Sequence, residues 1–560
     1  MLARYSIIPG LTLTPMLFAP MVHAVTSPDQ ILRDRQQQLD QQRQDLLNRP
    51  DVFTAPQTTT PLTVPVSPAV GPCFEITSVV FPGVPEAWDG WLHDLVKPVR
   101  GTCPDVRQLQ ALVQILTNAL VERGYVTSRA YLPEQNLKSG VLRLAIVPGR
   151  LGEIRLKDGA SDLSLHAAFP IESGDILNVR SLEQGLEQLS RVGSQKVTME
   201  IVPGVQEGYS DVVVTRDRSK PWSLSLGWDD AGQKSTGKQQ GSLGLTADNV
   251  IGINDSLSIN WSQDGERISD PRSRADTVSW LLPWGNWTGL VSYSESDYRQ
   301  LIEGVNQTFT STGHSRNAFL SLSRLLDRNQ LSKTELAVQL NKKVSSSFID
   351  NVEIQNQRRA LTALGLTLSH RRYFGDTTLD GSVSASKDIS AWGAMGNTLG
   401  DEGGPSARAR IYSAQLNLTA PFQLLHQNWR WSSNFKGQYS PDLLLGSEQF
   451  SIGSRYTIRG FDSDSLSGNN GYFLRNELAW IALPPSSHGQ SLELYAGLDA
   501  GQVSGQVYDW GTSTLSGWSV GLRASLWQGV NLELSHERAL HQPEGWSRPA
   551  ITHFRLALQY

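Results

Sequence analysis

The residue run Ser451-Ile-Gly-Ser-Arg-Tyr-Thr-Ile-Arg-Gly-Phe-Asp462 places a bulky Arg-Gly-Phe inside a long polar segment. A guanidinium can bind a carboxylate through two parallel hydrogen bonds, which fixes orientation as well as charge. Gly460 permits close approach or an unusual backbone angle, and Phe461 can pack beside it. A plain surface turn has the same composition, so the tripeptide alone leaves both readings open. A candidate acidic partner lies further on. Glu493, Tyr495, Gly497 and Asp499 alternate against Leu492, Leu494, Ala496 and Leu498, which puts Asp499 on a polar strand face between glycines. Phe473, Arg475, Glu477 and Ala479 alternate in the same way against Tyr472, Leu474 and Leu478.

Other chemistry is weakly signalled. Gly227 to Ser235 has the flavour of a phosphate loop, but its lysine is one position late and no buried strand–helix context follows. The ten histidines are scattered, with no pair at zinc-ligand spacing. Ser, His and Asp are present without a nucleophile motif. No catalytic residue, metal or cofactor is therefore predicted. The net charge of −5 gives no basic footprint for nucleic acid, and no nucleotide site is expected. Cys73 and Cys103 are the two cysteines of the chain. In an oxidising compartment they are expected to pair.

The elements that must position these residues fall into distinct stretches. Residues 1–24 read as a secretory signal, with Arg4 followed by an apolar stretch and Val22-His-Ala24. Residues 25–49 read as a polar helix from Pro28, with Leu32, Leu39 and Leu46 as one thin stripe suited to wet surroundings or to a weak coiled-coil seam. A Pro/Thr-rich linker spans 50–72. Two small β-α-α-β-β units follow, at 73–150 and 151–217. In the first, Phe74–Phe81, Val126–Leu132 and Val141–Val147 are predicted strands, and Glu86–Val96 and Val106–Arg123 helices.

From 218 to 560 the pattern is sixteen short alternating strands, from 222–228 to 551–560. Their connections alternate between long (229–240, 296–315, 342–358, 388–408, 440–471) and short (Pro283–Asn286, Gln528-Gly529). A soluble sandwich has no reason for that alternation, whereas a transmembrane barrel has tight turns on one side and long loops on the other. Fourteen of the 16 tryptophans lie in this part, which suits interfacial girdles. The mean hydropathy of −0.29 does not oppose a barrel, because lipid-facing and lumen-facing residues average out. The tripeptide falls in the longest connection, 440–471. It is expected to fold back into the lumen, with Arg459 paired to Asp499 and with Arg475, Glu477 and Tyr495 lining the wall beside it.

Ile458-Arg-Gly-Phe461, Gly471-Tyr-Phe-Leu-Arg-Asn-Glu-Leu478 and Tyr495-Ala-Gly-Leu-Asp-Ala-Gly501 resemble the three linked barrel motifs of the outer-membrane protein-translocation superfamily. The two small units resemble its polypeptide-transport-associated (POTRA) domains. The whole layout resembles the two-partner secretion transporters, the TpsB family, which includes the hemolysin and filamentous-hemagglutinin exporters. Ile458 departs from the commoner valine. The cysteine pair suggests the hemolysin or contact-dependent-inhibition branch.

The resemblance implies an outer-membrane location, periplasmic POTRA domains and ATP-independent export of one large β-helical partner of the TpsA type. That partner's N-terminal secretion domain would be recognised by the POTRA domains. The first helix would plug the pore at rest, and the Arg-Gly-aromatic loop would be anchored by Asp499. Strand addition of an extended client to a sheet edge offers a recognition mechanism, with Thr127, Arg129 and Tyr131 as contact candidates in the first unit and Val197–Ile201 in the second. A barrel-assembly insertase of the same superfamily and a passive porin are the alternatives. The barrel is expected to contact outer-membrane lipids.

Overall fold

Alternating apolar and polar residues can satisfy both lipid and water only if the strands close on themselves, because an open sheet edge has no backbone partner in hydrocarbon. The computed structural model describes residues 27–47, 51, 72–158, 162–462, 464–487, 489–505, 512–527 and 529–560. Within it, sixteen antiparallel strands, from Trp222–Asp229 to Ile551–Gln559, form a closed barrel. The ring shuts where Ile551–Gln559 pairs with Trp222–Asp229, and Tyr560 and Leu224 exchange backbone hydrogen bonds at 2.8 and 3.0 Å. The signal segment 1–24 and nearly all of the linker 50–72 lie outside the described residues.

The predicted connections 296–315 and 342–358 are corrected. Trp287–Glu303 and Thr308–Arg328 are one continuous hairpin paired from Trp287↔Arg324 to Glu303↔Thr308. Ser332–Ile349 likewise runs far beyond the membrane belt. Above the bilayer both strand faces meet water, so polar residues occupy both and the period-2 signal fades while the hydrogen-bond ladder continues.

The first small unit contains helices Glu86–Val96 and Val106–Glu122. Asp105 and Gln108 form a reciprocal capping box at the second helix. Its buried face (Leu109, Leu112, Leu116, Leu120) packs on Trp88, Leu92 and Leu142. Cys73 and Cys103 form a disulfide with Cα atoms 5.1 Å apart, a cross-link worth about 3–4 kcal/mol in the chain-entropy account. The predicted strand Val141–Val147 is split at Leu144. Val141–Arg143 pairs in parallel with Ser78–Val80, and Ala145–Val147 pairs antiparallel with Arg129–Tyr131. The predicted strand Val126–Leu132 shrinks to Arg129–Tyr131.

The second unit has a three-stranded sheet in the order Arg150–Leu156, Tyr209–Arg218, Gln195–Pro203. Its helix Val179–Leu189 is buried on polar as well as apolar positions because it also meets the barrel's periplasmic turns. Gln188 donates to the Gly285 carbonyl at 2.6 Å, and the Gly285 N–H donates to the Ala167 carbonyl at 2.7 Å. Glu187 meets Arg328 at 2.6 Å and Lys333 at 2.5 Å. Burial alone would raise the Glu187 carboxyl, but Lys333, Arg328 and Arg191 outweigh it and hold it below the ordinary carboxylate range. A depressed carboxyl contributes stability above its unfolded value, near 4.3, and loses it as pH falls through the lowered value. Hydrogen exchange of Val179–Leu189, corrected for intrinsic rate, is expected to be flat from about pH 8 to 5 and to loosen only in stronger acid. Glu187→Gln is expected to loosen it at neutral pH.

Candidate functional site

The connection after Gln427–Tyr439 turns inward instead of rising from the rim. Phe450–Ile452 and Leu466–Gly468 pair as a small hairpin inside the barrel, and the tripeptide sits in the segment between them. An apolar patch makes this possible in a wet lumen. Phe450, Ile452, Ile458, Phe461 and Leu466 cluster with the wall residues Phe473, Val503, Leu515 and Ala539. The Phe461 ring meets the edge of Trp546 at a centroid distance of 6.2 Å.

Arg459 is 3 % exposed and so is Asp499, so neither charge is solvated by open water. Arg459 Nε donates to Asp499 Oδ2 at 2.7 Å and Nη2 donates to Oδ1 at 2.8 Å. The Arg459 backbone N–H adds a third bond to Oδ2 at 3.0 Å. Nη1 donates to Glu477 Oε2 at 3.0 Å and Nη2 to the Asn476 carbonyl at 3.3 Å. The buried cation is thus paired and four of its five side-chain donors are used, which is the condition under which a desolvated charge is tolerable.

Three glycines make room. Gly460 has φ +96°, and a Cβ there would lie 2.5 Å from the Arg538 carbonyl carbon. A Cβ on Gly497 would meet Arg459 Nη2 at 2.2 Å, and one on Gly517 would meet the Arg459 carbonyl oxygen at 1.9 Å. Substitution at Gly497 or Gly517 therefore displaces the loop from the wall.

The predicted wall residues occupy graded positions. Glu477 bridges Arg459 and Arg523, accepting from Arg523 Nη1 at 2.6 Å. Arg475 reaches Asp499 only at 3.9 Å and instead donates to the Arg455 carbonyl at 3.1 Å. Tyr495 lies under the Arg523 guanidinium at 4.1 Å and donates to Glu533 at 3.3 Å. Two members escape sequence reasoning. Glu537 accepts the Gly460 N–H at 3.1 Å, and Arg523 links Glu477, Glu493 and Glu533. Glu537 binds a backbone group, so no complementary residue type marks it. Arg523 shares a face with no motif.

The first helix, Pro28–Leu47, lies inside the barrel against this loop. Its most buried side chains are Arg33, Leu39 and Arg43, so the leucine stripe forms no coiled-coil seam. Arg33 donates to the Gly446 carbonyl at 2.6 Å, Arg35 to Thr277 at 3.1 Å and Arg43 to Asn317 at 2.6 Å. The Arg43 guanidinium also lies 4.0 Å from the Phe319 ring centre. Ser454, on the folded-back loop, donates to Gln37 at 3.1 Å. Asp29 fills the space beside Gly446, where a Cβ would lie 2.2 Å from its Oδ2. Asp51 meets Arg371 at 3.0 Å and Lys333 at 3.5 Å. Lys333 is therefore shared between Asp51 and Glu187 of the second small unit.

The client-contact candidates are only partly placed together. Arg129 and Tyr131 are exposed on a strand of three residues. Thr127 sits in a turn rather than on that strand, with its Oγ1 buried and its side chain against Gly149. It is removed from the edge because Tyr125 to Ser128 still completes the turn that follows the helix, with the Ser128 N–H bonded to the Tyr125 carbonyl at 3.1 Å.

Comparison with known proteins bears on the whole chain. Residues 208–524 match the haemolysin secretion/activation protein family ShlB/FhaC/HecB. Residues 74–149 match the ShlB-type POTRA domain, and residues 150–203 match a second POTRA domain. The chain is 33 % identical to the outer membrane transporter CdiB-2 of Burkholderia pseudomallei (strain 1026b), over the full length of both. It is 27 % identical to the hemolysin transporter protein HpmB of Proteus mirabilis, over 82 % of this chain and 80 % of that one. The solved structure of CdiB from Escherichia coli superposes with a TM-score of 0.85 at 31 % identity, covering 96 % of this chain and all of that one.

Removing one member of a buried pair costs about 3–5 kcal/mol, because its partner is left charged and unpaired. Arg459→Ala and Asp499→Ala are each expected to release the loop while the barrel stays closed. Protease cleavage within 440–471 should rise, and heat-modifiable mobility of the folded barrel should persist. Deleting residues 28–47 is expected to raise channel conductance in planar bilayers, and Gly446→Leu to raise it in part by crowding Asp29.

Proposed function

The chain belongs to the ShlB/FhaC/HecB family of haemolysin secretion/activation proteins, and from that premise we propose how this outer-membrane transporter of the two-partner secretion type handles its client. The client is one large β-helical exoprotein, toxin or adhesin, taken up in the periplasm through its N-terminal secretion domain. It is threaded outward as an extended chain without nucleotide hydrolysis. The observation that carries this reading is the content of the lumen. A porin has no use for a lumen filled by a polar helix and an anchored loop, with two α+β units at its periplasmic mouth.

Helix Pro28–Leu47 is suited to leave and return. Its contacts are mostly hydrogen bonds from Arg and Gln side chains, which water can replace at small net cost. The loop is suited to remain, because leaving would strand buried charges at Arg459 and Asp499. We assign it the role of a fixed guide along one wall while the helix clears the path.

Client capture fits strand addition, and the geometry favours the second unit over the first. Gln195–Pro203 is nine residues long, at the end of its sheet, whereas Arg129–Tyr131 has three. The long edge begins at the barrel rim: the Ser194 N–H donates to Asp248 at 2.9 Å and Gln195 to Asn254 at 3.0 Å. A strand added there would be led straight to the mouth.

Photo-crosslinkers at the exposed positions Lys196, Thr198 and Glu200 are expected to trap the client's secretion domain during export. Arg459→Ala is expected to reduce export at unchanged barrel abundance. Cross-links confined to the first unit would overturn the edge assignment. Full export by both Arg459→Ala and Asp499→Ala would overturn the guide role.

A further inference from the structure

The lipid-facing wall carries an asymmetry in charge that export does not explain. On the arc formed by Ser273–Trp284, Trp287–Glu303 and Thr308–Arg328, the outward charges toward the outer end are paired, while Arg324 at the other end lies over the Trp287 ring. Arg274 meets Asp276 at 3.1 Å, Arg316 meets Glu295 at 2.9 Å, and His314 meets Asp297 at 2.7 Å. The arc formed by Ser332–Ile349, Arg359–Phe374, Thr377–Asp388 and Arg410–Leu424 differs. Lys342, Lys387 and Arg410 follow the outward register of Leu336, Val338 and Leu340, of Val383 and Ala385, and of Tyr412 and Leu416. Lys387 and Arg410 are direct cross-strand partners, an arrangement of like charges that is unfavourable by itself. Asp442 relieves one of them. Its two oxygens are taken by Arg410 Nη2 at 2.9 Å and Nε at 3.0 Å, and by the Arg410 backbone N–H at 2.8 Å. Lys387 stays exposed beside that pair.

Height places the lysines at the outer interface. Lys342 and Lys387 each stand ten residues along their strands from the periplasmic end. That is about 33 Å of strand, or roughly 23 Å of height at a tilt near 45°, and the apolar belt of such barrels is about 25 Å tall. Aromatics mark the same level. Tyr412 and Tyr439 stack at 6.4 Å just below Arg410. The Lys342 ammonium donates to the Trp392 carbonyl, which brings Trp392 to this rim. Trp392 is 61 % exposed and has φ +51°, a conformation rarely adopted by a bulky side chain. An exposed indole whose backbone carbonyl holds Lys342, with Lys387 two strands away at the same level, is the composition of an interfacial headgroup contact. The two lysines are separated by one intervening strand, about 10 Å, so their long stems can converge on one anion or take two on the same headgroup.

We propose that Lys342, Lys387 and Trp392 form a binding site for the phosphates of the glycolipid in the outer leaflet, with Arg410, Tyr412 and Tyr439 as its rim. The ammonium groups of Lys342 and Lys387 supply the positive charge, since the two oxygens of Asp442 are taken by Arg410. The indole lies against the sugar–acyl boundary. The site fixes lipid on one arc of the barrel and lies outside the export path.

The test uses the full chain purified in detergent and titrated with bisphosphorylated lipid A or with its dephosphorylated form, with bound lipid counted by native mass spectrometry. The bisphosphorylated form is expected to bind tighter by on the order of tenfold. The double variant Lys342→Ala/Lys387→Ala is expected to lose that preference, Lys342→Arg/Lys387→Arg to retain it, and Arg316→Ala, on the other arc, to leave it unchanged. Heat-modifiable mobility reports whether each variant is folded; if the double alanine variant is not, Lys387→Gln alone is expected to weaken binding several-fold. Equal binding of the two lipids would overturn the proposal, as would unchanged binding by folded variants. Displacement of the lipid by inorganic phosphate at equal concentration would overturn the lipid assignment in favour of a free-phosphate site.

Discussion

A guanidinium and a carboxylate, both out of reach of bulk water, hold the interior of this barrel in order. Once Arg459 lies against the wall, it is stable there only while Asp499 and Glu477 accept its donors. Everything around it serves that requirement. The loop must be long enough to return to the wall, and the wall must lack side chains at Gly497 and Gly517. Gly460 must take a left-handed backbone angle so that its N–H can meet Glu537. The apolar cluster about Ile458 and Phe461 shields the pair from lumen water, and in a low-dielectric pocket the same charges attract more strongly.

The two lumen elements are held by different physics. The loop is secured by a desolvated ion pair and apolar packing, so withdrawing it exposes both. The helix is secured by hydrogen bonds from long polar side chains, several of them to Ser294, Thr277 and Asn317 on the wall. Its burial of Arg33 and Arg43 is tolerable because each guanidinium has an acceptor and Arg43 also has an aromatic face. The proposed cycle of sealing and opening is served by this pairing of one fixed and one exchangeable occupant.

Legibility in the sequence followed the strength of the local rule. The barrel strands were readable wherever lipid lay on one side and water on the other, because alternation is then obligatory. The reading failed in Trp287–Glu303 at about Ser296, where lipid ends and both faces turn polar while pairing continues. Asp499 was readable because it alternates with Tyr495 and Gly497 on a face opposite a run of leucines. Glu537 was not, since its partner is a main-chain N–H, and Arg523 was not, since three glutamates from separate strands converge on it only in three dimensions. The first helix was readable as polar. That two of its three most buried residues would be arginines ran against any hydrophobic rule, and followed only from the chemistry of the lumen.

In the proposed plug role, the polar seat of that helix also sets how well the cell's permeability barrier is kept. A barrel of this size without its occupant is an open hole for small solutes in the outer membrane. The leak through a population of such barrels is the product of one open pore's permeability and the fraction of time the helix is out. That fraction changes tenfold for every 1.4 kcal/mol of seating energy, about the worth of one or two net hydrogen bonds. In the proposed plug role, the contacts of Arg33, Arg35 and Arg43 are expected to set antibiotic and detergent tolerance in resting cells, on a scale where a single side chain is felt.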